Sequence, residues 1–341
     1  MKPVIISVLK WVALFAIAFL LLILFFPQSY KVQPLLNRKG TKYWELATGS
    51  RIAYSFIEGK GARKPYPLIY LHGGPGAGIT NLEIKKLSPL ADEGYDIYLY
   101  DQVGCGHSNR LENIREYTAK RQEKDLEQIV RNIGSQKVIL IAQSWGSILA
   151  VMFVADHPEL VEKIAVTAPG PIQPGNINLA AIAAPDSLHF RDPYRIDIKT
   201  TRAFRNLRFR TTIYLANKFG MKFESDKEAD EYSAAFTSEL NKTQVCDVSN
   251  AVRSEGPEGF YVNLMTKLSL GSIADPRPKI KNSQIPILIM KAQCDNQKWG
   301  YTKEYLDLFP NHRFVLIPGS GHNAFIEQPA LYLKALRDFL Y

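Results

Sequence analysis

Short apolar runs alternate with amphipathic stretches along the first half of the chain. Four runs rich in Ile, Leu, Val and Tyr are predicted to form buried strands: Leu68–Leu71, Ile97–Tyr100, Val138–Ile141 and Ile164–Val166. Two stretches with helical patterning lie between them, at Glu83–Glu93 and Tyr117–Asn132, and a pair of strands is predicted before them within Tyr43–Phe56. Apolar strands that alternate with helices predict an α/β fold, in which helices cover both faces of a parallel sheet.

This alternation stops between Pro169 and Pro276, where helix formers, basic residues and aromatic residues become more frequent. It resumes with two apolar runs, Pro286–Met290 and Phe314–Ile317, and a final helix at Pro329–Leu340. The simplest account is one mostly parallel sheet interrupted by an inserted, mainly helical cap. The predicted boundaries are residues 43–169 for the first part of the core, 170–276 for the cap and 277–341 for the second part of the core.

The N-terminus is apolar from Val4 to Phe26 apart from Ser7 and Lys10. About 20 such residues are enough to cross a bilayer as a helix. The sequence after this segment lacks the small residues of a signal-peptidase site. We therefore predict an uncleaved transmembrane signal anchor over residues 1–27, followed by a linker over residues 28–42. A cleaved signal peptide and a buried helix remain alternatives.

Composition and charge narrow the possible classes of protein. Hydrophobic residues make up 46% of the chain and charged residues 22%, as in folded globular proteins. The formal net charge is +9, but the lysines and arginines are scattered, which argues against a nucleic-acid-binding protein. An anionic membrane surface explains the excess better. Basic residues flank the apolar segment on both sides, and we expect the long C-terminal domain to lie outside the cytoplasm, since long domains translocate despite such charges.

Three cysteines are present, namely Cys105, Cys246 and Cys294. Their odd number and wide spacing match neither a disulfide framework nor a set of metal ligands. We expect three unpaired and mostly buried thiols. One disulfide, formed in an oxidising compartment, is the alternative.

Ser144 is the candidate nucleophile. It stands in Ala142-Gln143-Ser144-Trp145-Gly146, where a predicted strand runs directly into an apolar helix. A serine at so sharp a turn needs small residues two positions before and after it, and Ala142 and Gly146 meet this need. Such a match is more often a helix-capping serine when it stands alone. Its place at a strand-to-helix junction favours the nucleophile.

Asp295 and His322 are the candidate partners of Ser144. A serine hydroxyl becomes a nucleophile when a base takes its proton and a third group orients that base. The two residues follow Ser144 in the order acid then histidine, and each comes just after a predicted strand, where open α/β sheets gather their active sites. A turn aspartate and a surface histidine are the alternative interpretations.

A glycine-rich loop, Leu71-His72-Gly73-Gly74-Pro75-Gly76, follows the first buried strand. Its glycines allow the main chain to approach a substrate closely, as the backbone N–H donors of an oxyanion hole must do. In sites of this type the residue after the nucleophile supplies a second donor, here Trp145. No Gly-Lys-Ser or Gly-Lys-Thr follows the loop, which argues against a nucleotide-binding loop.

Three motifs stand out along the chain: His72–Gly76, Asp101–Ser108 and Gln143–Ser147. In sequence, order and separation they resemble the signatures of the proline iminopeptidase family of α/β-hydrolases. The similarity covers roughly Tyr43 to the C-terminus. It implies an α/β-hydrolase fold and an enzyme that removes an N-terminal residue, typically proline, from peptides without a metal or an organic cofactor.

The resemblance also implies a role for each matching residue. Ser144 would be the nucleophile, Asp295 the orienting acid and His322 the base. The oxyanion hole would consist of the N–H groups of Gly74 and Trp145.

Glu258 matches the cap glutamate with which the family binds the free amine of its substrate. It stands in Glu258-Gly259-Phe260-Tyr261, before an aromatic pair. The physical reason is that a buried ammonium needs a carboxylate partner. A solvated glutamate in an acidic stretch is the alternative for this position.

The chain departs from the family pattern at three positions. Val103 and His107 replace arginines, and Ala142 replaces the first glycine of the serine motif. The change at Ala142 exchanges one small residue for another. The other two changes remove charges close to the site and put strict proline specificity in doubt.

Three functions stay open from the sequence: an aminopeptidase-type hydrolase, a membrane-associated hydrolase of esters or lipids, and a non-catalytic ligand-binding module. Glu258 distinguishes the first two, because an ester substrate has no ammonium to pair with it. The complete candidate triad argues against the third. The substrate's side-chain preference and the oligomeric state do not follow from the sequence.

Overall fold

The computed structural model of the protein describes residues 2–173, 177–197, 199–200 and 204–341. Its strands are β1 Lys42–Glu45, β2 Arg51–Ile57, β3 Leu68–Leu71, β4 Ile97–Tyr100, β5 Val138–Gln143, β6 Val161–Thr167, β7 Ile287–Ala292 and β8 His312–Ile317. They form one eight-stranded sheet in the order β1-β2-β4-β3-β5-β6-β7-β8.

The pairing of the strands makes the sheet mostly parallel, as predicted. Only β1–β2 and β2–β4 are antiparallel, and the remaining neighbours pair in parallel. β6 pairs with β7 through Ile164 opposite Ile287 and Val166 opposite Ile289. These two strands lie on either side of the long segment that interrupts the strand pattern, so one sheet continues across the insertion.

Helices flank the sheet and also occur in the insertion. In the described ranges they are α1 Lys2–Phe25, α2 Asn81–Leu87, α3 Ala119–Ile133, α4 Trp145–Asp156, α5 Ile177–Ala180, α6 Leu207–Phe219, α7 Asp226–Leu240, α8 Phe260–Ser269, α9 Arg277–Ile280, α10 Trp299–Leu308, α11 Ala324–Glu327 and α12 Pro329–Leu340.

The central strands bury apolar side chains on both faces of the sheet. In β5, Val138 and Leu140 belong to the core cluster that also contains side chains of α3 and α4. Ile139 and Ile141 belong to the other cluster, with side chains of α2 and α12. Successive residues of a strand point to opposite faces, so a strand that is apolar throughout needs helices on both sides. The predicted α/β arrangement is confirmed.

The predicted cap, residues 170–276, contains α5 to α8, and its residues 174–176, 198 and 201–203 lie outside the described ranges. An aromatic cluster joins three of its helices. The ring of Tyr232 in α7 stacks on Phe209 of α6 at 3.9 Å between centroids and meets the ring of Phe260 in α8 edge-on at 6.2 Å.

The N-terminal helix α1 extends to Phe25, and its described side chains are largely exposed. Among the residues that the structure describes, no helix is long and apolar enough to cross a membrane. The structure therefore does not support the transmembrane anchor predicted over residues 1–27.

Cys246 and Cys294 form a disulfide, so the expectation of three unpaired thiols was wrong for two of them. The fold brings their Cα atoms to 5.2 Å although 48 positions separate them in the chain. This distance is within the range that a disulfide spans. Cys105 is free and buried, as expected.

Candidate active site

Ser144 lies at the turn between β5 and α4, in a backbone conformation with φ 54° and ψ −115°. A positive φ is unusual for a residue with a side chain and marks a turn that its surroundings enforce. Gly146 explains part of that enforcement, because a Cβ at this position would lie 2.1 Å from the carbonyl oxygen of Leu71. The small residue expected two positions after the serine is therefore a requirement of packing.

His322 and Asp295 contact each other directly. Nδ1 of His322 lies 2.8 Å from Oδ1 of Asp295, and both side chains are buried. Asp295 follows β7 and His322 follows β8, so the parallel strands bring the two loops to the same edge of the sheet. Ser144 and His322 line one cavity of about 600 Å³. Asp295 and His322 are thus paired, and Ser144 shares a cavity with the histidine.

Lys291 is a member of this cluster that the sequence analysis missed. Its ammonium lies 2.6 Å from Oδ2 of Asp295 and also donates to the carbonyl oxygen of Gln297. Burial alone would raise the pKa of Asp295, but the adjacent His322 and Lys291 lower it to about 2. A lysine inside an otherwise apolar strand was the available signal, since such a charge is buried only with a partner.

The glycine-rich loop lies against the serine turn. A Cβ at Gly73 would come within 2.3 Å of the Gln143 side chain and 3.2 Å of Cβ of Ser144. Gly74 has a φ of +114° and lines the same cavity as Ser144. Trp145, the other predicted oxyanion donor, is the first residue of α4. Trp145 therefore directly follows the serine, and Gly74 lines the cavity that contains it.

Gln102 connects the two halves of this predicted oxyanion hole, and sequence reasoning did not single it out. Its Oε1 accepts a hydrogen bond from Nε1 of Trp145 at 2.8 Å, and its Nε2 donates to the carbonyl oxygen of His72 at 3.1 Å. Its own backbone N–H donates to Nε2 of His72 at 3.1 Å. All three side chains are almost completely buried.

Glu258 lies in the wall of the same cavity. Burial raises the pKa of its carboxyl group to about 7, although hydrogen bonds from Ser254 and Thr237 oppose this effect. The Ser254 hydroxyl donates to the carboxylate at 2.6 Å. The next residue, Gly259, donates its N–H to the carbonyl oxygen of Gly76 at 2.9 Å, which holds this part of the cap on the glycine-rich loop. Glu258 is therefore a partly desolvated carboxylate inside the cavity.

Two arginines form ion pairs in or close to the Asp101–Ser108 motif. Arg38 pairs with buried Asp101, and Arg110 pairs with Asp230 of α7 at 2.7 Å. Val103 is buried in the core, and Nε2 of His107 donates to a backbone carbonyl at 2.9 Å. Positions 103 and 107 therefore lack the arginines of the family pattern, and the charges of Arg38 and Arg110 are each paired with an aspartate.

Glu327 joins the loop of the predicted base to the cap. Its carboxylate accepts hydrogen bonds from the N–H groups of Gly321 at 2.7 Å, Cys246 at 2.9 Å and Asp247 at 3.0 Å. Gly321 precedes His322, and Cys246 is covalently bound to the residue before Asp295. The cap segment around Cys246 is therefore fixed to the loops that carry Asp295 and His322.

A metal centre is not apparent at this site. Among the described residues, no group of three or more His, Cys, Asp or Glu side chains is arranged to hold a metal ion.

Comparisons with known proteins identify relatives over most of the chain. The chain is 26% identical to the proline iminopeptidase of Lactobacillus delbrueckii subsp. bulgaricus over 280 residues, which cover 80% of the chain and 89% of the relative. It is 26% identical to the proline iminopeptidase of Heyndrickxia coagulans over 313 residues, or 86% and 96% of the two chains. The predicted resemblance to proline iminopeptidases is confirmed.

Solved structures with the same fold include both esterases and a peptidase. An esterase from Thermogutta terrifontis has a TM-score of 0.60 at 16% identity, and the proline iminopeptidase of Mycobacterium smegmatis has 0.56 at 18%. Each comparison covers 88% of this chain and 97% of the other. Residues 66–329 match the family described as having the alpha/beta hydrolase fold, and the chain belongs to this family.

Proposed function

We propose that the protein is a serine hydrolase of the aminopeptidase type, which releases N-terminal residues from peptides through an acyl-enzyme on Ser144. The observation that carries this proposal is the presence of Glu258 in the same cavity as Ser144 and His322. A carboxylate there offers a partner to the ammonium of a free N-terminus. The relatedness to proline iminopeptidases supports the same class of substrate.

In the first step Oγ of Ser144 attacks the carbonyl carbon of the first peptide bond, and His322 accepts the proton of the Ser144 hydroxyl. Asp295 holds the imidazole through Nδ1 and stabilises the imidazolium that forms. The N–H groups of Gly74 and Trp145 would stabilise the oxyanion of the tetrahedral intermediate.

Collapse of the intermediate breaks the carbon–nitrogen bond and leaves the N-terminal residue as an ester on Ser144. His322 returns its proton to the departing amine. A water molecule then attacks the carbonyl carbon of the ester while His322 takes a proton from it. The bond between this carbon and Oγ of Ser144 breaks, His322 returns the proton to Oγ, and the free amino acid leaves. Every step uses side chains and backbone N–H groups of this chain together with water.

The cavity wall suits an amino acid with an apolar side chain. Phe209, Tyr232, Phe236 and Phe260 line it together with Glu258. An ammonium in such a setting is stable only beside a carboxylate. We propose that Glu258 pairs with this ammonium and places the first carbonyl group near Ser144.

The test compares prolyl and alanyl anilides with an ester of the same chromophore, and includes the N-acetylated anilides. We expect anilide turnover that falls by at least about a hundredfold on N-acetylation, because Glu258 is left without its partner. Ser144→Ala should lower kcat by several orders of magnitude without changing the circular dichroism spectrum. Turnover that survives in Ser144→Ala would overturn the nucleophile.

Hydrolysis of esters is the second candidate function, because the same aromatic wall also fits an acyl chain. In that case the ester alone would be cleaved, and Glu258→Gln would leave its turnover unchanged. Binding of peptides without serine-dependent turnover of any substrate would instead indicate a non-catalytic module.

A further inference from the structure

The segment of residues 28–38, predicted as part of a linker, crosses the boundary between cap and core, and we call it the N-terminal strap. Its first part is held on the cap. The N–H of Gln28 donates to Oε1 of Glu228 at 2.8 Å, and the ring of Tyr30 meets Tyr232 edge-on at 5.5 Å between centroids. Both partners belong to α7.

The last residue of the strap is held in the core. Arg38 is 4% exposed and forms an ion pair with Asp101, whose side chain is completely buried. Its guanidinium also donates to the carbonyl oxygen of Ile79 at 3.3 Å, and the N–H of Ile79 donates to Asp101 at 2.7 Å. Removing one partner of such a buried pair is costly, so this end of the strap has a fixed position.

Between these attachments, Leu35 lines the cavity that contains Ser144 and Glu258. It packs directly on Gly256, where an added Cβ would lie 3.0 Å from Cα of Leu35. Gly256 has a φ of +115° and stands two positions before Glu258. The side chain of Leu35 is therefore next to the segment that carries the proposed amine-binding carboxylate.

Leu36, the next residue of the strap, is held through its backbone and not in the cavity wall. The carbonyl oxygen of Leu36 accepts a hydrogen bond from Nε2 of His107 at 2.9 Å. The Leu36 side chain is 45% exposed and is absent from the cavity wall, whereas Leu35 is 36% exposed and part of it. Leu35 is therefore the position to test, and Leu36 is its control.

We propose that Leu35 determines specificity by closing the cavity on the side of the substrate's amine. The inference rests on the proposed function, in which Glu258 binds the N-terminal ammonium. A peptide extended beyond that amine, or blocked by an acyl group, would need the volume that the Leu35 side chain fills. The N-terminal strap then restricts the enzyme to substrates that end at the bound residue.

The test measures kcat/KM for alanyl anilide, N-acetyl-alanyl anilide and glycyl-alanyl anilide in the full-length protein. The readout is the release of the anilide chromophore after the alanyl residue, expressed as the ratio of extended to unextended substrate. We expect Leu35→Ala to raise this ratio by about tenfold or more, which is typical of removing contacts from an apolar pocket. Leu36→Ala should leave the ratio at the wild-type value.

Leu35→Phe restores bulk at the same position and should keep the ratio as low as in the wild type. If Leu35→Ala does not fold, this variant still tests the effect of side-chain volume at position 35. Thermal unfolding of each variant shows which of them are folded. If folded Leu35→Ala cleaves alanyl anilide as the wild type does and the ratio is unchanged, the proposed role of Leu35 is overturned, while the proposed function stands. Absence of serine-dependent anilide cleavage in the wild type would overturn the proposed function and this inference with it.

Discussion

Nζ of Lys291 lies 2.6 Å from Oδ2 of Asp295, the carboxylate oxygen that does not contact Nδ1 of His322. The lysine side chain is 2% exposed and the carboxylate is fully buried. Each oxygen of the predicted catalytic acid therefore has its own cationic or N–H partner. This arrangement keeps Asp295 ionised and fixed beneath the histidine ring.

Lys291→Met should lower the free energy of unfolding by about 3 kcal/mol at pH 7, because it removes one partner of a buried ion pair and leaves the other. Urea unfolding measures the change. Lys303→Met is the matched control, since Lys303 and Asp307 have the same i,i+4 spacing but are exposed. Such a pair contributes less than about 1 kcal/mol. Equal effects of the two substitutions would contradict the role of Lys291.

The stabilisation by the Lys291–Asp295 pair should decrease at low pH. The pKa of Asp295 is lowered to about 2 in the folded protein, below the value of about 3.9 in unfolded chains. Its ionised form therefore stabilises the fold above about pH 4, and this contribution disappears as the pH falls towards 2. The difference between wild type and Lys291→Met should shrink over that range, and a difference that grows would be inconsistent with this pairing.

The disulfide between Cys246 and Cys294 should stabilise the protein through loop closure. For a loop of 48 residues the chain-entropy model gives about 4 kcal/mol. The double variant Cys246→Ser/Cys294→Ser should lose about this amount in urea unfolding, and wild type treated with a dithiol reductant should lose as much.

Thiol titration provides the control for this prediction. Unfolded, unreduced protein should show one reactive thiol, from Cys105, and reduction should expose the other two. Three reactive thiols before reduction would contradict the disulfide, and reductant sensitivity in the double variant would show that another group is responsible.

Elements that depend on local pattern were predictable from the sequence. β3 and β4 begin and end at the predicted residues, because buried strands are continuous apolar runs between turns. The predicted helix at Glu83–Glu93 instead ends as an α-helix at Leu87 and continues as a 3-10 helix from Ser88. Pro89 lacks an N–H and interrupts the α-helical hydrogen bonds there.

Features that depend on long-range packing were not predictable in the same way. Asp295 and His322 were found because both follow strands of one parallel sheet, whose carboxyl ends meet. The pairing of Cys246 with Cys294 requires the cap to fold onto the core, and no spacing encodes that approach. Lys291 carried a weak signal, a charge within an apolar strand, but its partner was visible only in three dimensions.

Glu258 should make the pH profile of peptide cleavage steeper than that of ester cleavage. The pKa of its carboxyl group is raised to about 7, so the ionised form that pairs with an ammonium is lost as the pH falls below 7. His322 must also be neutral to act as a base. Two protonations should therefore reduce kcat/KM for alanyl anilide on the acid side, and one should reduce it for the ester.

Glu258→Gln isolates the contribution of the carboxylate. It should lower kcat/KM for alanyl anilide and return its acid limb to a single protonation, while the ester profile stays as in the wild type. Profiles of the two substrates that have equal slopes in the wild-type enzyme would argue against an ammonium partner at this position.

Gln102 should affect catalysis by fixing the distance between Trp145 and the glycine-rich loop, which carry the two proposed oxyanion donors. Gln102→Leu leaves Nε1 of Trp145 without its acceptor and the carbonyl of His72 without its donor, at a cost of about 1–3 kcal/mol for each buried group. If these groups relax by moving the main chain, the oxyanion donors move with it.

We expect kcat of Gln102→Leu to fall by about tenfold to a hundredfold with little change in KM, since the donors act mainly in the transition state. Gln122→Leu, at another buried glutamine that bonds only weakly to a backbone carbonyl at 3.5 Å, should leave kcat within about threefold of wild type. A wild-type kcat in folded Gln102→Leu would show that the loop and the serine turn keep their positions without this bridge.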